Sequence, residues 1–147
     1  MNPNNGAPAS LANDADLIAA RRSISAPNGN VSVRNQTRGT LLADDVVVAN
    51  SYWPRLVGLL GKGPSWAQTS RALWIIPCHG VHTLGMRFAI DVVFLDRGRT
   101  VVYVCENLHP WRISRVITGS RSVLELPTGT IARSQTKIGD QLEVVGF

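Results

Sequence analysis

Cysteine is scarce. The 147 residues hold two, Cys78 and Cys105, far apart and not in a Cys-x-x-Cys pair. A disulfide framework needs more thiols, so reduced cysteine is the default reading, with a single Cys78–Cys105 bridge as the alternative. Charged side chains are also few, at 17%. No apolar run approaches the length that spans a bilayer. The first residues, MNPNNGAPASLANDADL, lack a basic start and an apolar stretch, so they do not read as a signal peptide, and the expected location is the cytoplasm. Gly58, Gly61 and Gly63 are not followed by the Gly-Lys-Ser/Thr ending of a phosphate loop. There is no Gly-x-Ser-x-Gly elbow, no Ser/His/Asp order and no internal repeat.

What is present suits one globular domain. Hydrophobic residues make up 44%, and a core of roughly a hundred residues buries enough apolar surface to fold without metal or disulfide. The net charge is +5. Residues 1–38 carry Arg21, Arg22, Arg34 and Arg38 against Asp14 and Asp16, and the rest of the excess is spread thinly. Such a balance favours anionic partners in general. No aromatic-plus-basic module of a known kind accompanies it, so nucleic acid is not expected.

Residues 1–38 are rich in Asn, Ala, Ser, Gly and Pro and read as a disordered or weakly helical arm, removable to about residue 36. Residues 39–147 read as a single β-rich domain. Strands are expected over 44–49, 72–77, 90–95, 100–105, 122–126 and 142–145, with a tight turn at 96–99 making a hairpin. Ser51, Pro54, Leu56, Leu59, Leu60 and Gly61 have the cap, spacing and stop of one short α-helix. Residues 130–136 suggest a helical turn. Short strands with frequent turns point to a mainly β fold, an antiparallel β-barrel or sandwich.

The densest chemistry is Cys78, His79 and His82. In extended chain Cys78 and His82 share a face and could act as metal ligands or as thiol and base, with Cys105 and His109 to complete a set. The set is incomplete and unpaired in spacing, so no metal and no cofactor are expected. Asp91 sits inside an apolar run and needs a partner, either Arg87 or turn backbone. Glu125 lies in Val123-Leu124-Glu125-Leu126 and faces solvent or meets Arg87 or Arg55. Arg112, Arg115 and Arg121 flank Trp111 and form either an anion surface or a solvated loop. Residues 78–88, with Gly80 and Gly85, should form a loop over one end of the barrel. His82, Thr83, Arg87 and Asp91 are expected to line one concave ligand site there, near Cys78, with Glu125 within reach of Arg87.

Four segments in order resemble the prokaryotic family called domain of unknown function 192. They are Arg55-Leu56-Val57-Gly58-Leu59-Leu60-Gly61, Ile90-Asp91-Val92-Val93-Phe94-Leu95-Asp96, Val123-Leu124-Glu125-Leu126-Pro127-Thr128-Gly129 and Gly139-Asp140. The resemblance implies a compact β-domain of barrel or jelly-roll-like kind with one helix, and no particular activity. Many members carry Trp-Met-Lys-Asn-Thr where this chain has His82-Thr83-Leu84-Gly85-Met86. It is similar instead to a subgroup with a Cys-x-x-x-His-Thr run. Many relatives carry export signals, and some appear beside pilus or secretion genes.

The expected function is that of a non-enzymatic accessory domain that binds a small ligand or a protein partner, linked by the resemblance to envelope, pilus or secretion assembly. Its pocket should lie near residues 78–91. The alternative is a metal-assisted or thiol-dependent enzyme using Cys78, His82 and Asp91. A third reading is docking through an exposed apolar patch with Trp residues. No membrane span is expected.

Overall fold

The computed structural model describes residues 30–50, 59 and 62–147. Among the described residues eight strands form two sheets. Strands β1 (Ser32–Asn35), β2 (Thr40–Ala43) and β8 (Leu142–Val145) make a small sheet in the order β2-β1-β8. Strands β3 (Asp45–Ala49), β4 (Arg71–Ile75), β5 (Ile90–Leu95), β6 (Val101–Leu108) and β7 (Ser122–Pro127) make a larger one, ordered β3-β4-β7-β5-β6. All pairings are antiparallel except β3 with β4. A parallel pair needs a long crossover, and residues 50–70 supply it, including a 3-10 helix over Pro64–Gln68. A single turn of α-helix, α1 (Thr130–Ser134), follows Gly129, whose φ of 86° lies in the left-handed region open to glycine. The helix expected over 51–61 lies outside the described residues, apart from the buried Leu59.

The larger sheet is covered on both faces. Its β5 and β7 are buried at every position, which explains why IDVVFL and SVLELP read as continuous runs with little alternation. On one face Trp74, Val93, Leu95, Leu124 and Leu126 pack with Val33, Leu42, Leu142 and Val144 of the small sheet. On the other, Leu73, Ile75, Val92, Phe94 and Val123 pack under Trp66, Val81, Met86 and Phe88. Full burial of each such side chain stabilises by roughly 2 kcal/mol relative to exposure.

The expected domain boundary needs correcting. β1 lies within the stretch assigned to the arm, yet it is the central strand of its sheet, with Val33 and Asn35 fully buried. Asn35 Nδ2 donates to Asp140 Oδ2 at 2.8 Å and to Thr136 Oγ1 at 3.1 Å. Arg38 adds Nε and Nη2 bonds to the same carboxylate, at 3.0–3.1 Å. The Arg38 bond is the largest cause holding the Asp140 carboxyl down at about 2. The sheet therefore takes in residues from Ser32 on, within the stretch assigned to the arm. A four-residue strand reading Ser-Val-Arg-Asn has too little apolar content to announce itself, because its stability comes from two flanking strands and this polar network.

Candidate functional site

Two irregular segments leave the larger sheet and run side by side. One follows β4 and spans 76–89; the other follows β6 and spans 109–121. Thr83 N donates to Arg112 O at 2.8 Å, Ser114 N to Val81 O at 2.9 Å and Ile117 N to His79 O at 2.7 Å. His82 and Ile113 form an isolated antiparallel bridge. The two segments are thus an antiparallel ribbon without regular strands. Hydroxyl groups supply bonds that a ladder would otherwise make. The fully buried Thr83 is the clamp: its hydroxyl donates to His109 O at 2.6 Å and accepts from Arg112 N at 2.9 Å, while its carbonyl accepts from Trp111 N and Met86 N. Ser120 Oγ donates to Cys78 O at 2.9 Å.

The ribbon has two unlike sides. Val81, Met86 and Phe88 turn inward onto the sheet core. Outside stand Leu84, Trp111, Ile113 and Val116, exposed by 40%, 65%, 72% and 72%. His82 is exposed as well and is the bridge partner of Ile113, so the two side chains share a side. Val116 lies beside Gly80, where an added Cβ would meet Val116 Cγ2 at 3.7 Å. Trp111 has a φ of 60°. For a bulky residue that conformation costs on the order of 1–2 kcal/mol and persists only where the surroundings hold it. Here the hydrogen bond from its N–H to Thr83 O contributes to that hold.

The same two segments are also uniform in charge. Residues 78–88 and 107–121 contain Arg87, Arg112, Arg115, Arg121 and all three histidines of the chain, and not one Asp or Glu. All four arginines are exposed. The ion pairs among the described residues, Arg38–Asp140 and Arg71–Asp45, lie elsewhere. The exposed residues of the ribbon are therefore apolar groups, polar groups and cations without an acid among them, on a hydrogen-bonded backbone.

The concave site expected from His82, Thr83, Arg87, Asp91 and Glu125 does not form. Asp91 pairs with Leu126 across the sheet, and Glu125 pairs with Val92 and Leu73. Adjacent strand residues point to opposite faces, so the two acids are divided. Asp91, 1% exposed, turns to the small-sheet side, where Oδ2 accepts from Ile131 N of α1 and Oδ1 from Asn107 N, both at 2.9 Å. Its partners are backbone amides, not Arg87. Glu125, 4% exposed, faces the other core, in the row Leu73, Glu125, Val92, Cys105. Its Oε2 has no hydrogen-bond partner, and burial pushes the carboxyl up to about 8. Arg87 is exposed and does not reach it.

Cys78 is half-buried, and its thiol donates to Gly80 O at 3.1 Å. No disulfide joins it to Cys105, whose thiol is pushed up by burial and secondarily by the charge of Asp91. Cys78, His82 and Asp91 are split between a half-buried loop position, the outer ribbon and the far side of the sheet. Among the described residues no three His, Cys, Asp or Glu side chains converge where they could hold a metal. An open groove of about 610 Å³ lies instead beside α1, lined by Arg38, Glu106, Ile131, Gln135, Lys137 and others. Sequence reasoning singled out Arg112, Arg115 and Arg121 around Trp111 but passed over the pairing of that stretch with residues 78–88. The signal available for it was the lack of acids in both segments.

Comparison with known proteins places this geometry among relatives. The model of domain of unknown function 192, described as Uncharacterized ACR, matches residues 33–144, a range that takes in most of β1. A UPF0127 protein of Pyrococcus furiosus is 31% identical over 114 residues, covering 74% of this chain and 94% of the relative. A UPF0127 protein of Thermococcus sibiricus is 30% identical over 115 residues, covering 74% and 71%. Two crystal structures share the fold. A protein of unknown function from Novosphingobium aromaticivorans has a TM-score of 0.64 at 19% identity, over 77% of this chain and 82% of its own. A protein from Sinorhizobium meliloti, described as a proposed transcription regulator, has a TM-score of 0.63 at 23% identity, over 80% and 93%.

Proposed function

The chain belongs to the domain of unknown function 192 family, and from its own geometry we propose that it is a non-enzymatic accessory domain whose working surface is the outer face of the ribbon. One observation carries this reading. Leu84, Trp111, Ile113 and Val116 stand exposed on a ribbon that Thr83 and Ser114 bond tightly on its inner side. Exposing large apolar groups together is costly for a solitary protein, and contiguous patches of that kind mark interaction sites. The strained backbone at Trp111 supports the same reading, since such conformations cluster at functional positions.

The test compares the wild type with a Trp111→Ala/Ile113→Ser variant for retention of components from a native cell extract, in both its soluble and its membrane fractions. The variant alters only exposed side chains and should melt with the wild type. Retention by the wild type that the variant loses supports the proposal. Equal retention by the two proteins, or none by either, removes the ribbon as the docking face.

A further inference from the structure

We infer that the surface this ribbon docks against is an anionic lipid bilayer. The inference rests on the docking reading above and adds the chemistry of the partner. Trp111, Ile113 and Val116 are 65–72% exposed, so they stand above the backbone that carries them. A peptide or helix is usually held in a groove with half-buried walls on two sides. Projecting side chains need an acceptor that deforms around them, and the interfacial layer of a bilayer does so.

Residue types and charge agree with that occupant. Tryptophan settles at the boundary between headgroups and acyl chains, where the ring is buried and its N–H stays wet. Leu84, Ile113 and Val116 supply apolar groups that enter below the headgroups. Arg87, Arg112, Arg115 and Arg121 lie in the same two segments, all exposed, with no acid in either. Anionic headgroups attract such a cluster, and each nearby Arg strengthens binding about fivefold. The ribbon is already hydrogen-bonded, from Thr83 to His109 and Arg112 and from Val81 to Ser114. Docking therefore orders little new backbone, which lowers its entropic cost. The proposed attachment is peripheral: side chains enter the interface and the sheets stay outside it.

The experiment uses the full chain and vesicles of equal parts phosphatidylglycerol and phosphatidylcholine, with pure phosphatidylcholine vesicles as control, read by co-sedimentation at low salt. Wild type should bind the anionic vesicles and bind the neutral ones far more weakly. Trp111→Ala and, separately, Val116→Ser should each weaken binding at least about fivefold while the melting temperature stays unchanged. Arg112→Gln/Arg115→Gln should weaken it roughly 30-fold on anionic vesicles and hardly at all on neutral ones. Raising the salt should reproduce the arginine effect in the wild type. Failure of the folded wild type to sediment with anionic vesicles overturns the inference, and so does binding that these variants leave intact. Ribbon-dependent binding to poly-glutamate or single-stranded DNA, with none to vesicles, overturns the lipid partner and leaves the docking reading standing. Absence of ribbon-dependent binding in both this assay and the extract assay removes both.

Discussion

Replacing Glu125 by Gln isolates the cost of a carboxyl group buried without a partner. In the unfolded chain this group titrates at its ordinary 4.5; in the fold, burial pushes it up to about 8. The native protein therefore keeps the proton over a pH range in which the unfolded chain has released it. Stability falls with pH wherever the folded state binds more protons. The contribution of Glu125 is fully favourable below pH 4.5, declines by about 1.4 kcal/mol for each pH unit above it, and levels off above about 8, some 5 kcal/mol lower. At pH 7 the accumulated loss is about 3 kcal/mol. Glutamine fills the same volume and has no proton to lose, so the variant skips this decline. Its amide inherits the unpartnered position of Oε2, a cost shared with the neutral acid and therefore nearly constant with pH. Urea unfolding of both proteins at pH 5, 6.5 and 8 measures the difference. The two should differ little at pH 5, and the variant should gain steadily above it, with a midpoint advantage of about 1–2 M urea at pH 7 for a slope near 2 kcal/mol/M. All other titrating groups are common to the pair. Stability profiles that stay parallel from pH 5 to 8 would refute the reasoning, because Glu125 would then titrate alike in both states.

Three further outcomes follow from the packing. Asp140→Ala leaves Asn35 Nδ2 without its 2.8 Å bond and Arg38 without its ion pair, and chemical denaturation should show a loss of about 2–4 kcal/mol. The same carboxylate is held low, at about 2 against 3.8, so its contribution to wild-type stability is present above pH 3.8 and fades as the pH falls through about 2, a fading that the variant lacks. Deleting residues 1–36 removes β1 from between β2 and β8 together with Val33 and Asn35; calorimetry should show the cooperative transition abolished or lowered by more than 10 °C, on the order of 3 kcal/mol or more. Thr83→Val keeps the shape but loses the hydroxyl bonds to His109 O and Arg112 N; it should cost about 1–3 kcal/mol and speed amide exchange in both ribbon segments, at Arg112 above all.

Much of the larger sheet can be read directly from the chain. Residues 90–95 and 142–145 are strands with the boundaries their apolar runs suggest, and the turn at 96–99 makes the expected hairpin. Residues 78–88 are irregular as expected, but they pack through Val81, Met86 and Phe88 onto a face of the larger sheet and not over one end of a barrel. β1 and β2 escape such reading, because Ser-Val-Arg-Asn and Thr-Leu-Leu-Ala are four-residue strands, and the pair is joined to a sheet only through the distant β8 on the far edge of β1.

By itself the amino-acid sequence determined a mainly β domain, its family, and the presence of two acids within apolar runs, of which Asp91 needed a partner. Which acid faced which core was decided only by the tertiary structure. Strands β5 and β7 are covered on both faces, so both parities of residue are apolar and the alternation that normally marks inside from outside is missing. Register then decides everything, since a shift of one residue exchanges the faces. Pairing of Asp91 with Leu126 and of Glu125 with Val92 sent one carboxylate to backbone amides and left the other without a partner. The ribbon obeys the same logic. Val81 and Ile113 are both apolar in sequence, but one is buried and the other 72% exposed, because Ile113 pairs with His82, the neighbour of Val81, and so stands on the side opposite to it.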